Sequence, residues 1–197
     1  MQRTHDPENC FGALDDFRIL CGLRRGPYGV QRINRVLAHQ LKTGKTPHSY
    51  GEKYNHPVPA MHFSAGQPVM VTQNDYNLQL FNGDVGIILP DPDRKKSLRA
   101  FFKEETGAVR DIALPLLPPH ETVFAMTVHK SQGSEFAKVL LILPDQDSPV
   151  LTRELIYTGI TRARESIEIW GRKEIFVSAV KRRIKRTSGL AEALWGE

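Results

Sequence analysis

Ala125-Met-Thr-Val-His-Lys-Ser-Gln-Gly-Ser-Glu-Phe136, followed by the apolar run Val139-Leu-Leu-Ile-Leu143, decides the fold. A buried β-strand is predicted over Val123 to Val128, and a second over Val139 to Leu143. The first strand delivers a polar loop in which Thr127, His129, Lys130, Ser131, Gln132, Ser134 and Glu135 fall within nine residues. Gly133 permits backbone to approach a ligand closely. Composition alone reads this stretch as a polar loop. At the end of a parallel strand the same donors and cations suit phosphate, ribose or nucleic-acid backbone, because ligands of open α/β sheets bind outside the strand ends.

Toward the C-terminus, Thr152–Thr161 reads as a helix, Ile167–Trp170 as a strand and Glu174–Lys185 as a helix. Toward the N-terminus, Asp16–Cys21 reads as a short buried strand, Gly22–Gly29 as a turn-rich loop, and Val30 to Leu41 as a helix ending near Gly44. Strands alternating with helices imply a parallel sheet. Between these two parts the texture changes. Pro68–Thr72, Val85–Leu89, Leu98–Phe102 and Val109–Ala113 are short strand-forming runs separated by turn signals at Asn82-Gly83-Asp84, Asp91-Pro92-Asp93 and Thr106-Gly107. The expected architecture is an α/β domain made of residues 10–65 and 119–190, interrupted at 66–118 by a small antiparallel barrel or sheet of SH3-like length. His48 to Gly66 reads as a connector.

Composition limits the classes of function. The 197 residues are 40% hydrophobic and 25% charged, and 27 Lys and Arg against 22 Asp and Glu give a formal charge of +5. That fits a globular protein and excludes disulfide-stapled and coiled-coil classes. The longest apolar stretch is far below the ~20 residues a membrane span needs, and the N-terminus has no signal-like region, so no membrane partner is expected and a cytoplasmic location is the default. Cys10 and Cys21, without any CxxC or Cys/His cluster, are expected to be buried thiols. The basic surplus sits in the run Lys181 to Arg186 and in Arg18 to Arg35, either as solvated helix faces or as contacts to a polyanion.

Several candidate sites fail on their spacing. Gly44-Lys45-Thr46 imitates the tail of a phosphate loop, but His39 occupies the required glycine position and a helix precedes the triplet. Val139 to Asp145 imitates a magnesium-binding strand, but Pro144 interrupts it and no second acid follows directly. The histidines at 39, 48, 56 and 62 lack metal-ligand spacing, so no metal site is expected. In Tyr157-Thr-Gly-Ile-Thr-Arg-Ala-Arg164, Arg162 and Arg164 either balance acids and helix carbonyls or offer planar forks of donors to phosphate, as an arginine finger does.

Two long strings, Thr127 to Phe136 and Arg153-Glu-Leu-Ile-Tyr-Thr-Gly-Ile-Thr-Arg-Ala-Arg164, resemble motifs V and VI of superfamily-one DNA helicases. The closer resemblance is to the RecD family, the alpha subunits of exodeoxyribonuclease V. Leu23-Arg-Arg-Gly-Pro-Tyr-Gly-Val30 with Asn34 resembles its motif IV region. Gly66 to Met70, Asn74-Asp-Tyr76 and Leu80 to Gly86 resemble its SH3-like insertion. The resemblance implies a RecA-like second motor domain carrying an inserted SH3-like β-barrel.

By motif position, the resemblance assigns Gly133, Glu135 and Arg24 to the nucleotide, with Glu135 near the ribose, and Arg162 to the γ-phosphate. It assigns Thr127, His129 and Lys130 to the single-stranded DNA backbone, and Asn74, Tyr76 and Asn82 of the insertion to the same strand. The P-loop and magnesium-binding acids of the first motor domain are absent from these 197 residues. The chain is therefore expected to be a C-terminal fragment of a 5′–3′ helicase that uses ATP and Mg2+ when whole. By itself it is expected to bind neither tightly and to turn over no ATP. The implied partners are single-stranded DNA and RecB-like and RecC-like subunits. A silent docking module, and a helicase acting outside any nuclease complex, stay open as alternatives.

Overall fold

The computed structural model describes residues 6–44, 63–94, 97–104 and 106–184. The connector expected over His48 to Gly66, with His48, His56 and His62, lies largely outside them, as do Lys45, Thr46, Lys185 and Arg186. Two sheets organise the chain. A helix α1 (Pro7–Asp16), started by Asp6 accepting the Glu8 N–H at 3.3 Å, leads into strand β1 (Phe17–Cys21) and then helix α2 (Val30–Thr43). The antiparallel strands β2 (Gln67–Val71), β3 (Val85–Pro90), β4 (Leu98–Lys103), β5 (Val109–Ala113) and β6 (His120–Thr122) follow. The chain then returns through β7 (Ala125–Thr127), β8 (Phe136–Ile142), α3 (Arg153–Ile160), β9 (Ala163–Trp170) and α4 (Lys173–Lys181).

The first sheet has the order β7-β1-β8-β9 with every pairing parallel. Its register puts Thr127 level with Cys21, Cys21 with Ile142, and Ile142 with Trp170, so all four strands end in one row. The second sheet has the order β5-β4-β3-β2-β6, all antiparallel, and no ladder joins β5 to β6 among the described residues.

Burial explains why both sheets read as apolar runs. Leu20, Leu141, Leu143, Leu151 and Val128 form the core of the parallel sheet under α3 and α4. Residues Gln67 to Val71 are all buried. Val69 and Val71 pack with Leu80, Ile88, Ala100 and Phe102, while Met70, on the opposite face, joins the parallel-sheet core. Likewise Ile87 and Leu89 of β3 pack with Phe101 and with Phe11 of α1. Helix α1 therefore fills the space between the sheets, and Arg18 secures it. Arg18 is 3% exposed, and its guanidinium donates to Leu14 O and Val123 O at 3.2 Å each and lies 4.9 Å from the Phe136 ring centre. Burial lowers its pKa to about 10. Gly86 is required by packing: a Cβ there would lie 2.6 Å from the Phe102 ring.

Three expectations change. The strand expected over Val123 to Val128 is shorter, Ala125–Thr127, and joins the parallel sheet beside β1; just before it His120–Thr122 joins the antiparallel sheet beside β2, and after it Val128–Ser131 is a 3-10 turn. Asn34 enforces the division between the sheets. Its amide donates to Thr122 O at 2.7 Å and Ala125 O at 2.9 Å, and its oxygen accepts the Ala125 N–H at 2.7 Å. The strand expected from Ile167 begins at Ala163 because its first residues already pair with β8, Ala163 with Phe136 and, after a shift of register, Ser166 with Lys138. Cys21 is buried, with its thiol pushed up to about 12, but Cys10 on α1 is only half-buried; both are free. Among the described residues, no helix is long and apolar enough to cross a membrane.

Candidate functional site

The candidate residues fall into separate groups because the sheet is parallel and the segment 128–135 runs from its carboxyl end to its amino end. At the carboxyl end, Thr127 closes β7 and its hydroxyl accepts the Lys130 N–H at 3.3 Å, capping the 3-10 turn. The turn presents His129 and Lys130 as exposed side chains. Ser131, by contrast, is fully buried and donates to Val128 O at 2.8 Å, so its hydroxyl holds the turn.

Lys130 Nζ lies 2.6 Å from Glu121 Oε1, and Arg24 Nη2 lies 3.7 Å from Oε2 of the same carboxylate. Glu121, on β6, is thus a shared counter-ion for two cations from different loops. Nothing in the local sequence marks it, because its role exists only once β6 is placed beside β2. The side chains keep roughly a third or more of their surface in solvent, so the contact contributes about 0–1 kcal/mol. The fold brings Arg24 to Lys130. Its grouping with Gly133 and Glu135 is not what the structure gives, since Arg24 follows β1 at the carboxyl end and those residues precede β8 at the amino end.

At the amino end, Gly133 has φ +86°, a left-handed conformation that favours glycine, and open space surrounds its Cα. The turn it makes brings Ser134 and Glu135 to the start of β8, where the Phe136 N–H donates to Arg162 O at 2.8 Å. Arg162 is half-buried at the end of α3. Its Nη1 donates to Ser134 O at 3.0 Å, its Nε to Thr158 O at 3.2 Å, and its Nη2 to Thr161 Oγ1 at 3.2 Å. Of the five N–H donors of a guanidinium, these three bonds leave two, so the side chain is oriented by neutral acceptors with charge and donors to spare. That arrangement fits the phosphate end of a nucleotide. No group of three or more His, Cys, Asp or Glu that could hold a metal ion occurs among the described residues.

The third group lies in the antiparallel sheet. Asn74 Oδ1 accepts the Asn82 N–H at 2.8 Å, Asp75 Oδ1 accepts the Asn77 and Leu78 N–H groups at 3.0 Å each, and Asp84 Oδ2 accepts the Phe81 N–H at 2.8 Å. These bonds fix a loop that presents Tyr76, 75% exposed, edge-on to Phe81 with ring centres 6.1 Å apart. The Asn74 oxygen shapes the loop, and the two aromatics are what it offers. Phe81 lies in the Leu80–Gly86 string, but nothing in that string assigns it a role beside Tyr76.

Arg164 is exposed, while Arg182 of the basic C-terminal run has a structural role. It is bidentate to Asp147, at 2.5 and 3.1 Å, and also donates to Ser148 O and Leu151 O. This contact holds the Asp147 carboxyl well below its usual range, at about 2.

Comparison with known proteins follows the same lines. The UvrD-like helicase C-terminal domain family matches residues 122–167. The RecBCD enzyme subunit RecD of Mycolicibacterium smegmatis is 37% identical over 193 residues, covering 96% of this chain and 31% of that protein. The corresponding subunit of Mycobacterium tuberculosis is 40% identical over 179 residues, covering 90% and 28%. The ATP-dependent RecD2 DNA helicase of Deinococcus radiodurans is 29% identical over 178 residues, covering 90% and 23%. The chain thus spans a third or less of the length of these curated relatives. Along nearly its whole length, the chain is similar in sequence to one part of the RecD subunits.

Proposed function

We propose that this chain is the second motor half of a RecD-like, ATP-dependent DNA helicase, with a RecA-like parallel domain (residues 10–65 and 119–190) and an SH3-like β insertion (66–118). In this reading Arg162 meets the γ-phosphate, and Gly133 and Glu135 meet the nucleotide, Glu135 near the ribose. Thr127, His129 and Lys130 hold the backbone of single-stranded DNA, and Arg24 belongs with them. Tyr76, on the loop shaped by Asn74 and Asn82, touches the same strand. The observation that carries the reading is that one eight-residue segment, 128–135, has the exposed cations at one end and the Arg162 cluster at the other. Strand contact and phosphate contact thereby share a covalent link.

Bound ATP with Mg2+ supplies the phosphoryl-transfer chemistry, and the magnesium ligands come from elsewhere in the whole protein. The task of this chain is to orient Arg162, which its three neutral acceptors already do, and to exchange Glu121 for a phosphate at Lys130 and Arg24. Polarity of 5′ to 3′, action in the cytoplasm, a role in double-strand break repair and assembly with RecB-like and RecC-like subunits follow from the family. The RecD subunits are 37% and 40% identical against 29% for the RecD2 helicase, which favours the subunit over a helicase acting alone.

The test uses the chain as it stands. It is expected to bind single-stranded oligonucleotide with steep salt dependence, weakened by Lys130→Ala, and to hydrolyse no ATP. DNA-stimulated ATP turnover that Arg162→Ala abolishes would overturn the fragment reading. Salt-independent capture of a protein partner with no DNA affinity would support a docking module instead.

A further inference from the structure

A groove between α2 and the carboxyl ends of β8 and β9 is used by none of the assignments above. It encloses about 1180 Å³, and its lining includes Tyr28, Arg35, Asp145, Trp170 and Arg172. Trp170 is 59% exposed and Tyr28 46%, although both are side chains that proteins normally cover unless a partner does so. Three lining residues are arginines and Asp145 is the one acid among the described lining residues; Arg172 also meets Glu174 at 3.7 Å in an exposed, weak pair, which leaves the groove a modest positive surplus. The Trp170 indole N–H donates to Glu168 Oε2 at 3.3 Å, which ties the ring's polar edge to its own strand.

Register connects this groove to the DNA-facing cations. Thr127, Cys21, Ile142 and Trp170 stand in one row across the sheet, one strand apart at each step. At ~4.8 Å per strand the row is about 14 Å long. The loop after β1 joins the two regions: Arg24 faces Glu121 at its start, and Gly26 to Tyr28 line the groove at its end. Two exposed aromatic rings among guanidinium groups are the chemistry that takes unpaired bases on their faces and phosphates on their edges, whatever the sequence.

We propose that this groove receives the continuation of the single strand held at Lys130 and Arg24, with bases against Tyr28 and Trp170 and phosphates against Arg35 and Arg172. The inference rests on the DNA reading above and adds a second contact region to it. It predicts a footprint longer than the Lys130 turn alone supplies.

The experiment uses the chain with Trp195→Phe, which makes Trp170 its only tryptophan. Oligothymidylates of roughly 6 and roughly 16 nucleotides are titrated while emission is followed. The longer strand is expected to quench Trp170 and to bind about tenfold tighter than the shorter, the size of one stacked base. Trp170→Ala and Tyr28→Ala should each reduce the longer strand to the affinity of the shorter, Trp170→Phe should keep most of the gain, and Lys130→Ala should weaken both lengths. Strand binding with unchanged Trp170 emission and a neutral Trp170→Ala overturns the groove and leaves the DNA reading standing. No binding at either length overturns both.

Discussion

The two ends of the parallel sheet hold their cations in opposite ways. At the carboxyl end Lys130 and Arg24 share a carboxylate, Glu121, in partly exposed contacts of 2.6 and 3.7 Å. At the amino end Arg162 is held by two carbonyls and a hydroxyl. A carboxylate neutralises and competes, so an incoming phosphate must displace it, and the gain is a small difference sensitive to salt. Neutral acceptors orient without neutralising, so the guanidinium keeps its charge for a ligand. The first arrangement suits contacts made and released repeatedly along a polymer, and the second suits one fixed position at a reacting group.

Breaking the amino end should have the largest effect. If the proposed motor reading holds, Arg162→Ala in a RecD-like helicase carrying this chain should lower DNA-stimulated ATP turnover by about 10³-fold or more, while nucleotide-free affinity for single-stranded DNA stays unchanged. An equal loss of DNA affinity would show that the two ends are not separate. Next in size is Asn34→Ala, which leaves the backbone groups of Thr122 and Ala125 without the side chain that bonds them. It should cost about 2 kcal/mol in denaturant unfolding, and a value near zero would mean that Asn34 does not hold the division between the sheets.

Glu121→Gln sharpens the comparison in the favourable direction. Removing the competing charge should tighten short oligonucleotides by about two- to fivefold and steepen the salt dependence by about one charge. Weaker binding would instead make Glu121 an organiser of the cations rather than their competitor. The smallest effect lies away from both ends. The Asp147 carboxyl is held below its ordinary range, at about 2, first by its bond to Arg182. Its stabilising contribution is therefore complete above the ordinary carboxylate range and is lost as pH falls toward 2. Thermal unfolding of Asp147→Asn should lack that acid-dependent component, with DNA binding at neutral pH unaltered.

What the sequence revealed follows from the range of the interactions concerned. Strands such as Val139 to Leu143 and Val85 to Leu89 were legible because burial leaves an apolar run whatever the partner. The helix Pro7–Asp16 was not, because it buries only Phe11 and contains Gly12, so its period is nearly silent. Val123 to Val128 could be read as apolar, but the passage of the chain from one sheet to the other between Thr122 and Ala125 could not, since it depends on Asn34, some 90 residues away. The strings around Lys130 and Arg162 were visible as donors. Their separation to opposite ends of the sheet was not, nor was the company of Arg24, because both are consequences of register. Glu121 is an ordinary residue locally and acquires meaning only from the cations the fold sets beside it.

The crossover 128–135 also has very little slack. Thr127 is level with Ile142, so the chain must descend about 20 Å to reach Phe136, at ~3.3 Å per residue of β8, while moving two strand positions sideways. Eight residues, four of them wound into a 3-10 turn that rises only ~2 Å per residue, barely cover that distance. A strap this tight passes displacement rather than absorbing it: if the Lys130 turn shifts, the Ser134 carbonyl that bonds Arg162 must shift with it.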